Sequence, residues 1–126
     1  MKIRGTLVVV SSLSPNMFYQ KVGEEGFGFL QFVLIPTEEK LRKILDEYER
    51  VVSYIRHPPT NEYLKKIRQD IEVIGDKEYK IGMYEREEIL TVALTKRPQK
   101  GSTDVKISGF EDLAFVLYRF VDMISY

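Results

Sequence analysis

Apolar residues in this chain fall into blocks whose spacing predicts strands and helices. Residues 29–35 are almost continuously apolar, and residues 3–10 have Ile3 and the apolar run Leu7 to Val10. Both blocks are rich in β-branched or aromatic side chains, which is typical of buried strands. Pro36 ends the second block, and Thr37 is placed to cap a helix with two glutamates in its first turn. The apolar residues that follow recur at the helical period and are Leu41, Ile44, Leu45, Tyr48, Val51 and Val52.

The second half of the chain predicts a shorter helix, a hairpin and a terminal helix. Pro58 and Pro59 end the first helical segment and precede a helix over about 60–69. Residues 78–84 and 88–96 alternate in polarity and predict an antiparallel hairpin. A capping-box spacing from Ser108 to Glu111 then predicts a helix to about residue 125. We expect that helix to face the core with Phe110, Leu113, Ala114, Leu117, Phe120, Val121 and Ile124.

With a short helix over about 16–20, capped by Ser14, the predicted order is β-α-β-α-α-β-β-α. This order predicts a single α/β (α+β) domain over residues 1–126, with a mixed sheet of about four to five strands flanked by helices. The hydrophobic fraction of 44% and the charged fraction of 30% are those of a folded protein. No apolar run approaches the roughly 20 residues that span a bilayer, and no signal peptide is evident. We therefore expect a cytoplasmic protein that does not bind membranes.

The composition excludes several kinds of site. The chain has no cysteine and one histidine, which excludes disulfides, thiolate zinc sites, cysteine nucleophiles and multi-histidine metal centres. A carboxylate-only magnesium site stays open, but no tight acidic cluster indicates one, so we expect no metal and no cofactor. Lysine plus arginine equals aspartate plus glutamate at 19 each, which argues against coating of long nucleic acid and allows a local basic pocket. The lack of cysteine and tryptophan also fits a thermophile.

The one histidine, His57, lies just before the helix predicted to start at Thr60. A helix start presents unpaired amide groups and the positive end of a dipole, so it can hold a phosphate, and Arg56 adds a positive charge. A histidine beside such a phosphate is placed to transfer a proton, because imidazole exchanges protons near neutral pH. The structural alternative is that Pro58 and Pro59 only begin a helix and that His57 is an exposed loop residue without a chemical role. The local sequence pattern alone favours this alternative.

A second candidate loop follows the last predicted strand. It holds the cations Lys96, Arg97 and Lys100, followed by a glycine and two hydroxyl residues. Arg97 suits a two-pronged grip on phosphate, and loops carry function more often than the elements they join. The alternative is a solvated loop with surface charges.

A third candidate loop follows the first strand. Ser11, Ser14 and Asn16 can hydrogen-bond a sugar or a base, because strand ends that precede helices commonly line ligand crevices in α/β folds. The alternative is that Ser14 only caps the short helix, and this capping role is enough to account for the serine.

Together the three loops resemble segments of the viral anti-CRISPR ring nucleases of type III CRISPR systems, small α/β proteins from archaeal viruses and some bacteria. Residues 13–17, Leu-Ser-Pro-Asn-Met, are similar to that family's Phe-Ser-Ile-Asn-Met segment after its first strand. Residues 53–60, Ser-Tyr-Ile-Arg-His-Pro-Pro-Thr, are similar to the Ser-x-Ile-Gly-His-Asp-Ser-Thr run that opens a helix at the family's catalytic histidine. Residues 95–101, Thr-Lys-Arg-Pro-Gln-Lys-Gly, are similar to its Ser-Gln-Arg-Leu-Glu-Glu-Gly loop.

The resemblance implies a metal-independent ring nuclease, working as a homodimer that encloses cyclic tetra-adenylate, the second messenger of type III CRISPR defence. In that family a ribose 2′-OH attacks the neighbouring phosphate and leaves a 2′,3′-cyclic phosphate. By resemblance, His57 protonates the departing 5′-oxygen and Arg97 stabilises the charge that develops on the phosphate. Lys100 is the third candidate catalytic residue, at the position of a family glutamate that supports catalysis. The residues expected to contact the nucleotide are Ser11, Ser14, Asn16, Arg56, Thr60 and Lys96.

Several positions depart from the family pattern. The two glutamates of the family's third loop fall at Gln99 and Lys100, and the residues on either side of the histidine are Arg56 and Pro58. Because the second of those glutamates supports catalysis, Lys100 indicates direct charge stabilisation, slow turnover or a different ring size. The predicted terminal helix also stands where the family has its last β-strand.

Two alternatives to the ring-nuclease function stay open. One is a protein that binds a cyclic oligoadenylate without cutting it, and the other is a small protein-interaction module.

Overall fold

The computed structural model describes residues 4–11, 29–95 and 106–121, and a mixed sheet forms their centre. Within these ranges the six strands are β1 (Arg4–Val10), β2 (Phe29–Ile35), β3 (Tyr48–Ser53), β4 (Glu72–Val73), β5 (Glu88–Leu94) and β6 (Leu113–Val121). The same ranges contain the helices α1 (Glu38–Asp46) and α2 (Pro58–Ile67) and a 3₁₀ turn over Phe110–Asp112. The predicted α/β class with a mixed sheet is confirmed, although the sheet has more strands than expected.

The strands lie in the order β2-β6-β5-β1-β3-β4 across the sheet. β1 pairs in parallel with β3 on one side and with β5 on the other, and β3 pairs in parallel with β4. β6 lies antiparallel between β5 and β2. The C-terminal ends of β1, β3 and β5 therefore meet at one edge of the sheet, here called the carboxyl edge. Their N-terminal ends meet at the opposite amino edge.

The core lies on both faces of β1, which explains why this strand is apolar from Leu7 to Val10. Leu7 and Val9 belong to a large buried cluster that includes residues of both helices. Val8 and Val10 alternate with them and belong to a second cluster on the other face, formed with Tyr79, Ile81 and Ile89.

Four predicted elements are confirmed to within two residues. The strands predicted over 3–10, 29–35 and 88–96 are β1, β2 and β5. Thr37 caps α1, since its hydroxyl accepts the Lys40 amide hydrogen at an N–O distance of 3.2 Å. The second helix begins at Pro58 and not at residue 60. The short helix predicted over 16–20 and the loops predicted over 23–28 and 97–104 lie outside the described residues.

The first long helix was predicted too far along the chain. α1 ends at Asp46, and the residues from Tyr48 onward form β3, where Val51 lies opposite Leu7 of β1. Tyr48, Val51 and Val52 satisfy a helical period, but all three are also buried in a strand that has neighbours on both sides. The β-branched pair at 51–52 and the parallel pairing with β1 favour the strand.

The predicted terminal helix was wrong, because residues 113–121 form β6. Leu113, Phe115 and Leu117 alternate along this strand and are buried in the large cluster. Leu113 and Leu117 are four residues apart, which places them on one face of a helix. A strand places them on one face as well, because its side chains alternate with a period of two. The capping-box residues form a turn instead, in which the Ser108 amide donates to Asp112 Oδ2 at 2.7 Å.

The predicted hairpin was also wrong, because residues 78–84 form an irregular segment with turns and not a strand. The buried Glu87 organises these turns: its Oε1 accepts the amide hydrogens of Gly82 at 2.8 Å and Tyr84 at 3.0 Å, and its Oε2 accepts the Tyr79 hydroxyl. Gly82 has φ +99°, which a strand residue does not adopt. The apparent alternation of polarity arises from Tyr79 and Ile81, whose side chains are buried against the sheet although the segment is not a strand.

A cluster of charged and phenolic side chains, here called the amino-edge cluster, joins the starts of β1, β3 and β5 to β6. Glu88 is at its centre: its oxygens lie 3.1 Å from Arg4 Nη1 and 3.1 Å from Arg119 Nε. The Tyr48 hydroxyl donates to Glu88 Oε1 at 2.5 Å, and Arg4 Nε donates to Glu47 Oε2 at 3.0 Å. These hydrogen bonds and ion pairs link the four strands at this edge, and the link to β6 is the ion pair between Arg119 and Glu88.

Several tyrosine hydroxyls predict a loss of stability in alkali. Burial, and then a hydrogen bond to a neighbouring side chain, raises the pKa of Tyr48, Tyr54 and Tyr63. The unfolded chain releases these protons near pH 10, so their contribution to stability is complete below about pH 10 and is lost as the pH rises toward the folded pKa values. We expect part of the phenolate absorbance to appear only together with the loss of circular dichroism. Tyr48→Phe should reduce this alkaline sensitivity, and free titration of all eight tyrosines in the folded state would contradict the prediction.

None of the helices in the described ranges is long and apolar enough to cross a membrane.

Candidate functional site

A cavity of about 330 Å³ opens at the carboxyl edge, beside the ends of β1, β3 and β5. Its polar lining residues are Ser11 after β1, and His57 and Thr60 at the start of α2. In α/β sheets, ligands bind outside the carboxyl ends of parallel strands, so this is where a ligand is expected. The aliphatic remainder of the lining is Ile55, Val92, Ala93, Leu94 and Leu113.

A buried polar network holds the loop that carries His57. The Ser53 hydroxyl donates to Asn61 Oδ1 at 2.7 Å and accepts the Ile55 amide hydrogen at 3.2 Å. Asn61 Nδ2 donates to the Ile55 carbonyl at 2.8 Å. Ser53 and Asn61 are both buried, so these bonds form away from competing water. The position of His57 is therefore set by side chains that belong to β3 and α2.

The two ring nitrogens of His57 have different surroundings. Nδ1 lies 2.7 Å from Thr60 Oγ1, a hydrogen-bond distance. Nε2 is buried and has no hydrogen-bond partner among the residues that the structure describes. Leaving a buried polar atom unpaired costs about 1–3 kcal/mol, so this nitrogen is a candidate for a hydrogen bond to a further group. Nε2 is thus the ring nitrogen whose hydrogen-bonding capacity is unused among the described residues.

The helix start offers fewer amide donors than the sequence analysis expected. Pro58 and Pro59 occupy the first two helical positions, and proline has no amide hydrogen. The Asn61 amide donates to the His57 carbonyl at 3.3 Å. Thr60 is therefore the first residue of α2 with an amide hydrogen. A phosphate beside His57 would have to be held mainly by side chains.

Of the predicted site residues, the structure brings Ser11, His57 and Thr60 to one cavity. Arg56 is exposed and lines a separate groove, together with Glu62 and Lys65 on the outer side of α2. The structure thus does not support Arg56 as a direct contact in the His57 cavity.

The remaining predicted site residues lie outside the described ranges. They are Ser14, Asn16, Lys96, Arg97 and Lys100. The described chain stops at Ser11, which follows β1, and at Thr95, which follows β5. Ser11 and Thr95 both lie at the carboxyl edge, where the cavity lies.

Sequence reasoning missed Ser53 and Asn61, which position the histidine loop. The available signal was a polar residue at a position that the apolar pattern assigns to the core: Ser53 follows two buried valines, and Asn61 lies on the buried face of α2. Buried polar residues are uncommon and are hydrogen-bonded, so such positions indicate local positioning.

In the part of the chain that the structure describes, no three His, Asp or Glu side chains are grouped so that they could hold a metal ion. Comparison with known proteins finds no matching family model and no similar curated protein. The function therefore has to be argued from the cavity and the histidine.

Proposed function

We propose that this protein is a metal-independent ring nuclease that cleaves a cyclic oligoadenylate, with cyclic tetra-adenylate as the expected substrate, and that it acts as a homodimer. The observation that carries the proposal is His57 at the carboxyl-edge cavity, with Nδ1 bonded to Thr60 and Nε2 buried without a described partner. In a cell this activity would switch off type III CRISPR signalling in the cytoplasm.

The proposed reaction needs one well-placed proton donor. The ribose 2′-oxygen forms a new bond to phosphorus, its proton passes to water, and the bond from phosphorus to the 5′-oxygen breaks. His57 Nε2 gives a proton to the departing 5′-oxygen, and the phosphate remains as a 2′,3′-cyclic ester. A positioned acid of this type typically contributes about 10²–10⁴-fold to the rate.

The size of the cavity supports a dimer. A volume of about 330 Å³ is at the small end for a ligand pocket, whereas a ring of four nucleotides is several times larger than one nucleotide. One chain would therefore contact part of the ring. A two-fold symmetric dimer would present the same histidine loop twice to a ligand that repeats its own unit four times.

Two features of the fold support the resemblance to the ring nucleases, namely the last described strand and the helix that begins after His57. The predicted terminal helix was the main structural departure from the ring-nuclease family, and the structure has a strand, β6, in its place. His57 also stands at the start of a helix, as the family's catalytic histidine does. Fold-level likeness alone is weak evidence of function, so the proposal depends on the cavity and His57.

Because α2 begins with two prolines, the proposal assigns the binding of the phosphate mainly to basic side chains. Since Pro58 and Pro59 have no amide hydrogens, the phosphate charge would be balanced by Lys96, Arg97 and Lys100 in the segment that leaves β5. Ser11 would hydrogen-bond the nucleotide from the end of β1. Lys100 in the place of a glutamate is also the reason to keep a second candidate function, sequestration of the ring without cleavage.

The test is incubation of the purified protein with cyclic tetra-adenylate, with and without EDTA, followed by chromatographic separation of the products. Linear di-adenylate with a 2′,3′-cyclic phosphate, formed equally in EDTA, is the expected result. Stoichiometric binding without turnover would favour sequestration, and the cyclic hexa-adenylate ring tests the ring size. Failure to bind either ring would reject both candidates and favour a protein-interaction module. Light scattering with and without the ring tests the dimer.

A further inference from the structure

We infer that Thr60 is a positioning residue for His57, whose hydroxyl holds the imidazole through Nδ1 in every protonation state that the ring adopts. From the sequence alone, Thr60 is expected to contact the ligand. The structure gives its hydroxyl a different partner, His57 Nδ1 at 2.7 Å, and leaves only 3% of the residue exposed. Thr60 would therefore act on a substrate through the histidine.

The backbone holds the two residues at a fixed separation. His57 is the N-cap residue of α2, with an extended backbone and no capping bond from its own side chain. Thr60 lies three residues later, in the first turn. Between them are Pro58 and Pro59, whose rings restrict φ to about −65°. The distance between the imidazole and the hydroxyl is therefore set by the helix start, and ligand binding is not needed to establish it.

A hydroxyl is the group that suits this place chemically, since it can both donate and accept a hydrogen bond. When the neutral ring carries its proton on Nε2, the Thr60 hydroxyl donates to Nδ1. When the ring is cationic, or neutral with its proton on Nδ1, the N–H donates to Oγ1. A carboxylate at this position would only accept, and it would favour a proton on Nδ1. With Thr60 as the partner of Nδ1, Nε2 can hold or release a proton while the hydrogen bond between Nδ1 and Oγ1 is kept.

The first test uses nuclear magnetic resonance and needs no substrate. Because His57 is the only histidine, ¹⁵N-labelled histidine gives one pair of ring nitrogen signals that requires no assignment by mutagenesis. Thr60→Val keeps the shape of the side chain and removes the hydroxyl. We expect it to shift the Nδ1 signal toward that of an unbonded nitrogen and to change the tautomer ratio, and we expect Thr60→Ser to restore the wild-type signals.

A matched control is available in β5. The Thr91 hydroxyl donates to the Val116 carbonyl at 3.2 Å and does not line the His57 cavity, so Thr91→Val removes a comparable bond elsewhere. It should leave the imidazole signals unchanged. Identical ring spectra for the wild type and Thr60→Val would overturn the inference. If Thr60→Val does not fold, the comparison of Thr60→Ala with Thr60→Ser decides the same question.

The second test rests on the proposed function. With cyclic tetra-adenylate, Thr60→Val should lower the single-turnover cleavage rate by about 10–100-fold, the range known for partners that orient metal-bound histidines, while ring affinity is kept. Thr60→Ser should recover most of the rate. Equal rates for wild type and Thr60→Val would contradict the positioning role. If the wild type does not cleave the ring, the proposed function fails, and the ring-nitrogen spectra still decide the role of Thr60.

Discussion

The substitution His57→Ala is expected to reduce cleavage of cyclic tetra-adenylate by about 10²–10⁴-fold, the usual contribution of a positioned acid, and to leave ring binding nearly unchanged. His57 lines the carboxyl-edge cavity with Nε2 unpaired among the described residues, so alanine removes the proton donor. In the proposal the phosphate charge is balanced mainly by Lys96, Arg97 and Lys100, which this substitution leaves in place. The measurement is a single-turnover rate at saturating protein, together with a separate calorimetric Kd for the uncut ring.

Glu62→Ala is a suitable control for this experiment, since Glu62 is an exposed residue of the same helix and does not line the cavity. It should cleave at the wild-type rate. Thermal melting of both variants checks that each is folded. A His57→Ala protein that cleaves as fast as the wild type would reject the acid role. Loss of binding together with cleavage would instead assign His57 to ligand contact.

The substitution Arg68→Met is expected to lower the free energy of unfolding by about 1–3 kcal/mol, the cost of leaving buried hydrogen-bonding groups without their partner. Arg68 follows α2 and is only 8% exposed. Its Nη1 donates to the carbonyls of Leu45 and Tyr48 at 2.6 Å each, and its Nη2 donates to the Glu49 carbonyl at 3.1 Å. Nε donates to Asp70 Oδ1 at 2.7 Å. One guanidinium thus joins the ends of both helices to the start of β3, and methionine would leave buried carbonyls unpaired.

Denaturant unfolding of Arg68→Met checks this prediction, with Arg50→Met as the matched control. Arg50 also makes a two-pronged contact, with Glu72 at 3.0 and 2.6 Å, but both side chains are about half exposed. Exposed ion pairs contribute about 0–1 kcal/mol, so the control should lose little stability. Equal losses in the two variants would show that burial of the Arg68 guanidinium is not what makes it important.

The fold could be predicted from the sequence where one periodicity was unambiguous. Long apolar runs identified β1 and β2, and Thr37 with its acidic first turn identified the start of α1. The prediction failed at β3 and β6, where side chains spaced by three or four residues satisfy a helix and a buried strand equally well. Partner strands decide such cases: β3 pairs with β1, and β6 pairs with β5 and β2.

The candidate site was predictable in part for a topological reason. Ser11 and His57 each follow a strand, and parallel strands end at the same edge, so residues distant in sequence meet there. The role of Thr60 was not predictable, because it depends on which ring nitrogen the hydroxyl meets. The lack of amide donors at the helix start could have been predicted, because proline has no amide hydrogen. It was not predicted because the helix was expected to begin at Thr60, two residues after its observed start at Pro58.

The amino-edge cluster and the cavity have a consequence for how this protein can evolve. They lie at opposite ends of β1, whose seven residues span about 20 Å at ~3.3 Å per residue. Substitutions this far apart usually have additive effects on stability. Selection for a new ligand can therefore change the loops at one edge while the charged residues at the other edge continue to fix the sheet.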